Sequence, residues 1–134
     1  ILDRTGGTSL PTINPVADGD TIMQMGQTVR QVPIDQEVQD HLIRLVRSTH
    51  PENEQATAEV RKFVRYGASP RGAQSLLAAG RARALLRGRF HVAREDVNAM
   101  AKAALRHRLV LSFEGEAEGI RADDIIASVI ESLN

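Results

Sequence analysis

The sequence predicts an all-α fold, a bundle of about five short helices with at most one minor two-stranded β pairing. Three observations point there. Aromatic residues make up only 3% of the chain and Trp is absent, so the core must be built from Leu, Ile, Val, Ala and Met. Such a core suits helices packed closely through small side chains better than a β-sandwich, which favours aromatic and β-branched residues. Apolar residues recur at spacings of three and four in five separate stretches, the period of one helix face. Gly, Pro, Ser and Asp punctuate the gaps between those stretches. At 134 residues and 42% hydrophobic content, the chain can hold one domain with a modest core. No internal repeat is evident.

Residues 1–17 read as an extended arm, because Gly6, Gly7, Pro11 and Pro15 forbid a continuous helix. Residues 18–134 read as the helical domain. Asp18 is placed to cap a first helix carrying the stripe Ile22, Met25, Val29 and Val32, with Gly26 weakening it and Pro33 ending it. Asp35 is placed to cap a second, with Val38, Leu42, Leu45 and Val46 inward and Pro51 beyond its end. Residues 50–60 are polar and without a stripe, and read as a loop. Phe63, Val64 and Tyr66 read as an extended segment leading to Gly67.

Ser69-Pro70 is the strongest helix start in the chain. The Ser hydroxyl can accept from a free backbone N–H, and Pro suits the first helical position. Ala73, Leu76, Leu77, Gly80 and Ala84 form the inner stripe, and Gly88 offers a C-terminal stop. A fourth helix spans about 94–108, with Val97, Met100, Ala101, Ala104 and Leu105 inward. Glu95 and Asp96 in its first turn, and Arg106, His107 and Arg108 in its last, complement the helix dipole. His107 reads as a packing residue there. Leu109, Val110 and Leu111 suggest a short strand, with Ile13 to Val16 as the expected partner. An acidic loop at 114–119 leads to a last helix at about 122–133, with Ile126, Val129, Ile130 and Leu133 inward.

Net charge is zero, yet the charges lie in blocks. Residues 1–60 carry a balance of −5, residues 61–108 of +10 and residues 109–134 of −5. The basic block is either a set of solvated helix faces or the sign of a nearby polyanion, nucleotide or nucleic acid. With no Cys, disulfides and thiolate metal sites are excluded. His41, His50, His91 and His107 are too scattered for a helical metal pair. No apolar run has the length of a membrane span and no signal peptide is visible, so a cytoplasmic location is expected. A P-loop, a strand ending in paired acids and a Gly-x-Ser-x-Gly elbow are all missing, so this chain alone is not expected to be catalytic. Its start at Ile1 reads as that of an excised or processed piece.

The informative stretch is Gly67-Ala68-Ser69-Pro70-Arg71-Gly72-Ala73. Gly67 is expected to permit a turn, Ser69 to cap and Pro70 to open the helix. Arg71 then falls in the first turn, where the helix already favours anions and a cation without a partner is slightly disfavoured. Two readings remain at this point: an exposed Arg, or a guanidinium waiting for phosphate oxygens.

Tyr66-Gly67-Ala68-Ser69-Pro70-Arg71 resembles the second-sensor motif of the MoxR branch of AAA+ ATPases. Leu76-Leu77-Ala78-Ala79, Arg81-Ala82-Arg83-Ala84-Leu85-Leu86, Glu95-Asp96-Val97 and Leu105-Arg106-His107-Arg108-Leu109 are similar to the lid helices of that family. Glu116-Ala117-Glu118-Gly119 with Ala122-Asp123, and Ile1-Leu2-Asp3-Arg4 as the exit from a nucleotide-binding domain, are similar too. Two departures are capping changes: Ala93-Arg94 stands where a Thr-Pro pair is common, and Arg121 where a Ser often stands.

The resemblance implies the C-terminal helical lid of a MoxR-type ATPase. It implies ATP and Mg²⁺ in the full-length parent, neither bound by this chain alone. It implies Arg71 as the phosphate sensor, with Gly67, Ser69 and Pro70 supporting it. It also implies an upstream nucleotide-binding domain, a homo-hexameric chaperone-like ring and a von Willebrand A domain partner. Arg81, Arg83 and Arg87 then become candidates for contact with a neighbouring subunit, against the plainer reading of a solvated face. The rival readings are a basic helical nucleic-acid-binding module, disfavoured because the Arg-rich helix is also the Ala-rich core helix, and a free-standing interaction domain.

Overall fold

A computed structural model describes residues 14–133. Among these described residues seven α-helices follow in order: α1 (Gly19–Arg30), α2 (Gln36–Arg47), α3 (Ala58–Phe63), α4 (Pro70–Leu86), α5 (Arg94–Leu105), α6 (Phe113–Ala117) and α7 (Ala122–Ser132). Strand β1 (Val64–Tyr66) lies between α3 and α4, and β2 (Val110–Leu111) lies between α5 and α6. The expected all-α bundle is therefore present, with two more short helices than the periodicity predicted. Among the described residues, no helix is long and apolar enough to cross a membrane.

One aliphatic core joins α2, α3, α4, α5 and α7. Leu45, Leu76, Leu105, Ile125 and Ile126 are its largest fully buried side chains. Helices α4 and α5 are the most intimately packed pair. Gly80 makes this close: a Cβ there would sit 3.5 Å from Val92 Cγ1 and 4.0 Å from Asp96 Cβ. Gly88, at φ +71°, ends α4 in the left-handed conformation that only Gly adopts without cost.

Several local expectations are corrected. The polar stretch 50–60 is not a plain loop, because α3 begins at Ala58, where Thr57 Oγ1 accepts from Val60 N. Arg61 ties the preceding turns together by donating to the carbonyls of Asn53, Glu54 and Ala56. Phe63 ends α3 and does not begin the strand. Strand β2 pairs antiparallel with β1, Val64 opposite Leu111 and Tyr66 opposite Val110, and not with residues 14–16. Residues 14–16 have no strand conformation, and Ile13 lies outside the described residues, as do Ile1 to Arg4.

The acidic loop at 114–119 is largely the short helix α6, capped by Ser112 Oγ accepting from Gly115 N. It docks on α3 because Gly115 has no side chain: a Cβ there would lie 2.9 Å from Phe63 O. Lys62 joins Glu114 and Glu118 across that contact at 3.1 Å each. In α7, Ile125 belongs to the buried face with Ile126 and Val129, whereas Ile130 and Leu133 are only half-buried.

The first helix is displaced most from expectation. Asp18 does cap α1, accepting from Thr21 N at 2.8 Å. Yet no residue of α1 is buried, and Ile22 and Met25 are 58% and 55% exposed. Only Val32, beyond its end, reaches the core.

Candidate functional site

Much of the basic block has local partners. Arg61 serves backbone carbonyls, Lys62 serves Glu114 and Glu118, and Arg94 reaches Glu37 at 3.4 Å. Arg106 approaches Asp123 Oδ1 at 3.1 Å, without hydrogen-bond alignment. Arg83 and Arg89 converge on Asp96. Arg108 donates from Nε to Ala104 O and from Nη2 to Ser75 Oγ, each at 3.0 Å. Arg65 lies over the Tyr66 ring, 5.2 Å from its centroid. Arg71, Arg81, Arg87 and Lys102 make no hydrogen bond or ion pair to another side chain among the described residues.

Asp96 reads in the sequence as an acid that complements the dipole of α5. Instead it is wholly buried. Arg89 hydrogen bonds hold its carboxyl far below the usual carboxylate range, outweighing the upward push of burial, with Ala93 N and Arg83 adding to them. Its Oδ2 accepts from Ala93 N at 3.0 Å, so α5 keeps a cap although Ala93 has no polar side chain. The three arginines expected to face a neighbour are thus divided. Arg83 is turned into the protein, Arg81 is half-buried with Nε shielded and unbonded, and Arg87 is exposed past the end of α4.

Arg71 stands apart. It is exposed in the first turn of α4, directly after Ser69-Pro70, with Pro70 opening the helix as expected. Ser69 has the extended backbone of an N-cap but makes no side-chain cap bond; its carbonyl accepts from Gly72 N at 2.7 Å. Pro70 has no N–H and that of Gly72 is taken, so the backbone N–H of Arg71 is left as the first-turn donor, at the helix end whose dipole attracts an anion.

Two contacts fix where this helix end sits. On one side is the end of α2. Thr49 is wholly buried; its Oγ1 donates to Val46 O at 2.6 Å and accepts from Ala68 N at 2.9 Å. His50 Nε2 lies 3.0 Å from Ala68 O and must carry the proton, since a carbonyl only accepts. Gly67 does not adopt a left-handed turn. It is needed because a Cβ would sit 2.7 Å from the His50 ring and from Thr49 O. On the other side, Arg108 passes Gly72, its Cδ 3.4 Å from where a Cβ would stand. Sequence reading missed Thr49, His50 and Arg108, because their partners lie 18 to 33 positions away. The only local signal is Gly67 itself, which the sequence assigns to a turn and the structure to a close approach. His107 is exposed in the 3₁₀ turn Arg106–Arg108 and does not pack. No group of three or more His, Asp or Glu able to hold a metal occurs among the described residues.

Comparison with known proteins agrees with this geometry. The AAA lid domain family matches residues 56–129. Chaperone MoxR1 of Mycobacterium tuberculosis is 35% identical over 94 residues, covering 70% of this chain and 25% of that protein. The uncharacterized protein YeaC of Bacillus subtilis is 29% identical over 126 residues, 92% of this chain and 36% of its own length. The crystal structure of a provisionally assigned ATPase from Cytophaga hutchinsonii superposes with a TM-score of 0.91 at 26% identity, over 99% of this chain and 41% of its own. The chain thus spans between a quarter and about two fifths of these relatives. Because the family match covers more than half of the residues and contains the Arg71 helix start, the chain belongs to the AAA lid domain family, in the form resembling MoxR-type AAA+ lids.

Proposed function

We propose that this chain is the lid of a MoxR-type AAA+ ATPase and that Arg71 contacts an ATP phosphate and couples its hydrolysis to lid movement. The observation carrying the reading is that Arg71 is an exposed guanidinium without a carboxylate partner among the described residues, at a helix N-terminus that itself attracts anions. The residues fit a phosphate: Arg71 can offer two parallel N–H donors to its oxygens. ATP, when bound, supplies the transferable phosphoryl group, and Mg²⁺ would be held by the upstream nucleotide-binding domain. Losing the phosphate removes the partner of Arg71 and so biases the angle of the lid.

In the same reading residues 1–17 form the arm from that upstream domain, and the parent works as a cytoplasmic, chaperone-like homo-hexamer with a von Willebrand A domain partner. Arg87 and Arg81 are left to meet a neighbouring subunit, since Arg83 is engaged by Asp96. A nucleic-acid role has less support, because five of the twelve basic residues of the block meet carboxylates inside the domain and Arg61 and Arg108 are held by backbone or hydroxyl oxygens.

The test is ATP turnover by the full-length parent carrying Arg71→Ala. Turnover is expected to fall by about tenfold or more, as when one charge-stabilising donor is removed from a transition state. Unchanged turnover would overturn the role of Arg71.

A further inference from the structure

We infer that Thr49 and His50, at the end of α2, are positioning residues that set the direction of Arg71. The inference rests on the phosphate-contact reading of Arg71 and adds to it a part of the domain outside the Tyr66–Arg71 motif.

The segment preceding Arg71 is held by its backbone. Ala68 offers one N–H and one C=O, and both are taken by consecutive residues of one helix end: Thr49 Oγ1 at 2.9 Å and His50 Nε2 at 3.0 Å. Thr49 is itself fixed, because its hydroxyl proton goes to Val46 O at 2.6 Å and leaves the oxygen free to accept. Gly67 lets the segment lie against both residues, where any larger side chain would collide with the ring and with Thr49 O. Ala68 is 1% exposed, so water does not compete for either bond. Three residues later the chain reaches Arg71, with Pro70 fixing one backbone angle between them. Among the described residues Arg71 has no side-chain partner of its own to orient it. Its direction is therefore inherited from Ala68, and through Ala68 from Thr49 and His50. A shift of the end of α2 would be passed to the guanidinium, and an error of about 1 Å at a reacting group can cost on the order of a hundredfold in rate.

The experiment measures kcat and KM for ATP in the full-length parent with Thr49→Ser, Thr49→Val, Arg71→Ala and Thr49→Val/Arg71→Ala. Thr49→Ser keeps the hydroxyl and is expected to turn over like the parent. Thr49→Val keeps the shape, removes the hydroxyl and is expected to lower kcat roughly tenfold with KM little changed. The double variant is expected to be no slower than Arg71→Ala, because a misplaced side chain cannot matter once it is gone. A Thr49→Val enzyme as fast as Thr49→Ser overturns the inference. So does a Thr49→Val loss that multiplies with that of Arg71→Ala, the mark of a purely structural effect. If Thr49→Val lowers the melting temperature below the assay range, His50→Ala, at a half-buried site, takes its place in the same cycle with His50→Gln as its conservative partner. Arg71→Ala at full activity would instead sink the phosphate reading itself, which separates the two failures.

Discussion

Arg89 grips Asp96 with both ends of its guanidinium, Nη1 to Oδ2 and Nη2 to Oδ1, each at 2.6 Å, around a carboxylate wholly shielded from water. Arg83 Nη1 adds a third bond at 2.6 Å from α4. The corner where α4 turns into α5 is thus closed by charge, with Gly80 letting the helices approach beneath it.

Asp96→Asn should cost about 3–5 kcal/mol, because it leaves two guanidinium groups facing a neutral amide. Urea unfolding followed by circular dichroism measures this; a loss under about 1 kcal/mol would mean that the triad relaxes into solvent. The pH dependence has a definite sign. The folded-state pKa of Asp96 is depressed, so its contribution is complete above the unfolded value near 4 and is lost as pH falls below it. Asp96→Asn should therefore flatten the acid limb of the stability curve.

His41 predicts a second pH effect in a higher window. Its ring is wholly buried, with Nε2 2.7 Å from Asn98 Oδ1 and Nδ1 facing no partner. Burial pushes its pKa down, opposed by the bond to Asn98, with Arg94 and Arg44 pushing the same way as burial. Above about pH 6.5 both folded and unfolded forms are neutral and the contribution is complete. As pH falls below that, the unfolded chain takes the proton first and stability declines until the folded value is reached. Unfolding midpoints of the parent and of His41→Gln at pH 7.5 and 5 should converge toward the acid side; parallel curves would exclude His41 as the source.

Two glycines predict opposite outcomes. Gly67→Ala forces a methyl group to 2.7 Å from the His50 ring and Thr49 O, so a loss of about 1–3 kcal/mol is expected. Gly26→Ala, inside α1 with nothing within 4 Å, should strengthen that helix by about 0.5–1 kcal/mol. Hydrogen exchange in α1 and melting of the whole domain distinguish the two.

Arg71→Ala should leave stability within about 0.5 kcal/mol, since an exposed cation in the first turn of a helix opposes the dipole and has no hydrogen-bond or ion-pair partner side chain among the described residues. A thermal melt of the same preparation used for ATP turnover checks this. A large loss of stability would show that Arg71 is structural.

Sequence alone determined the helices of the core, because burial there follows the period of the chain itself: Leu42, Leu45 and Val46, then Leu76 and Ala84, then Val97, Ala101 and Leu105 all lie inward as their spacing required. It also located Arg71, since Ser69-Pro70 is a local signal for a helix start. Tertiary structure alone decided what each polar residue does. Asp96 reads locally as a dipole-matching acid, and only the approach of α4 and α5 buries it against Arg83 and Arg89. The stripe of α1 reads as core, yet Ile22 and Met25 remain exposed, because periodicity marks an apolar face without saying whether anything covers it. The strand at Val110 needed a partner, and only packing brings Val64–Tyr66 beside it, with Tyr66 opposite Val110. Hydrogen bonds such as those of Thr49 and His50 to Ala68 join positions that no local propensity links, so they exist only once the chain has packed.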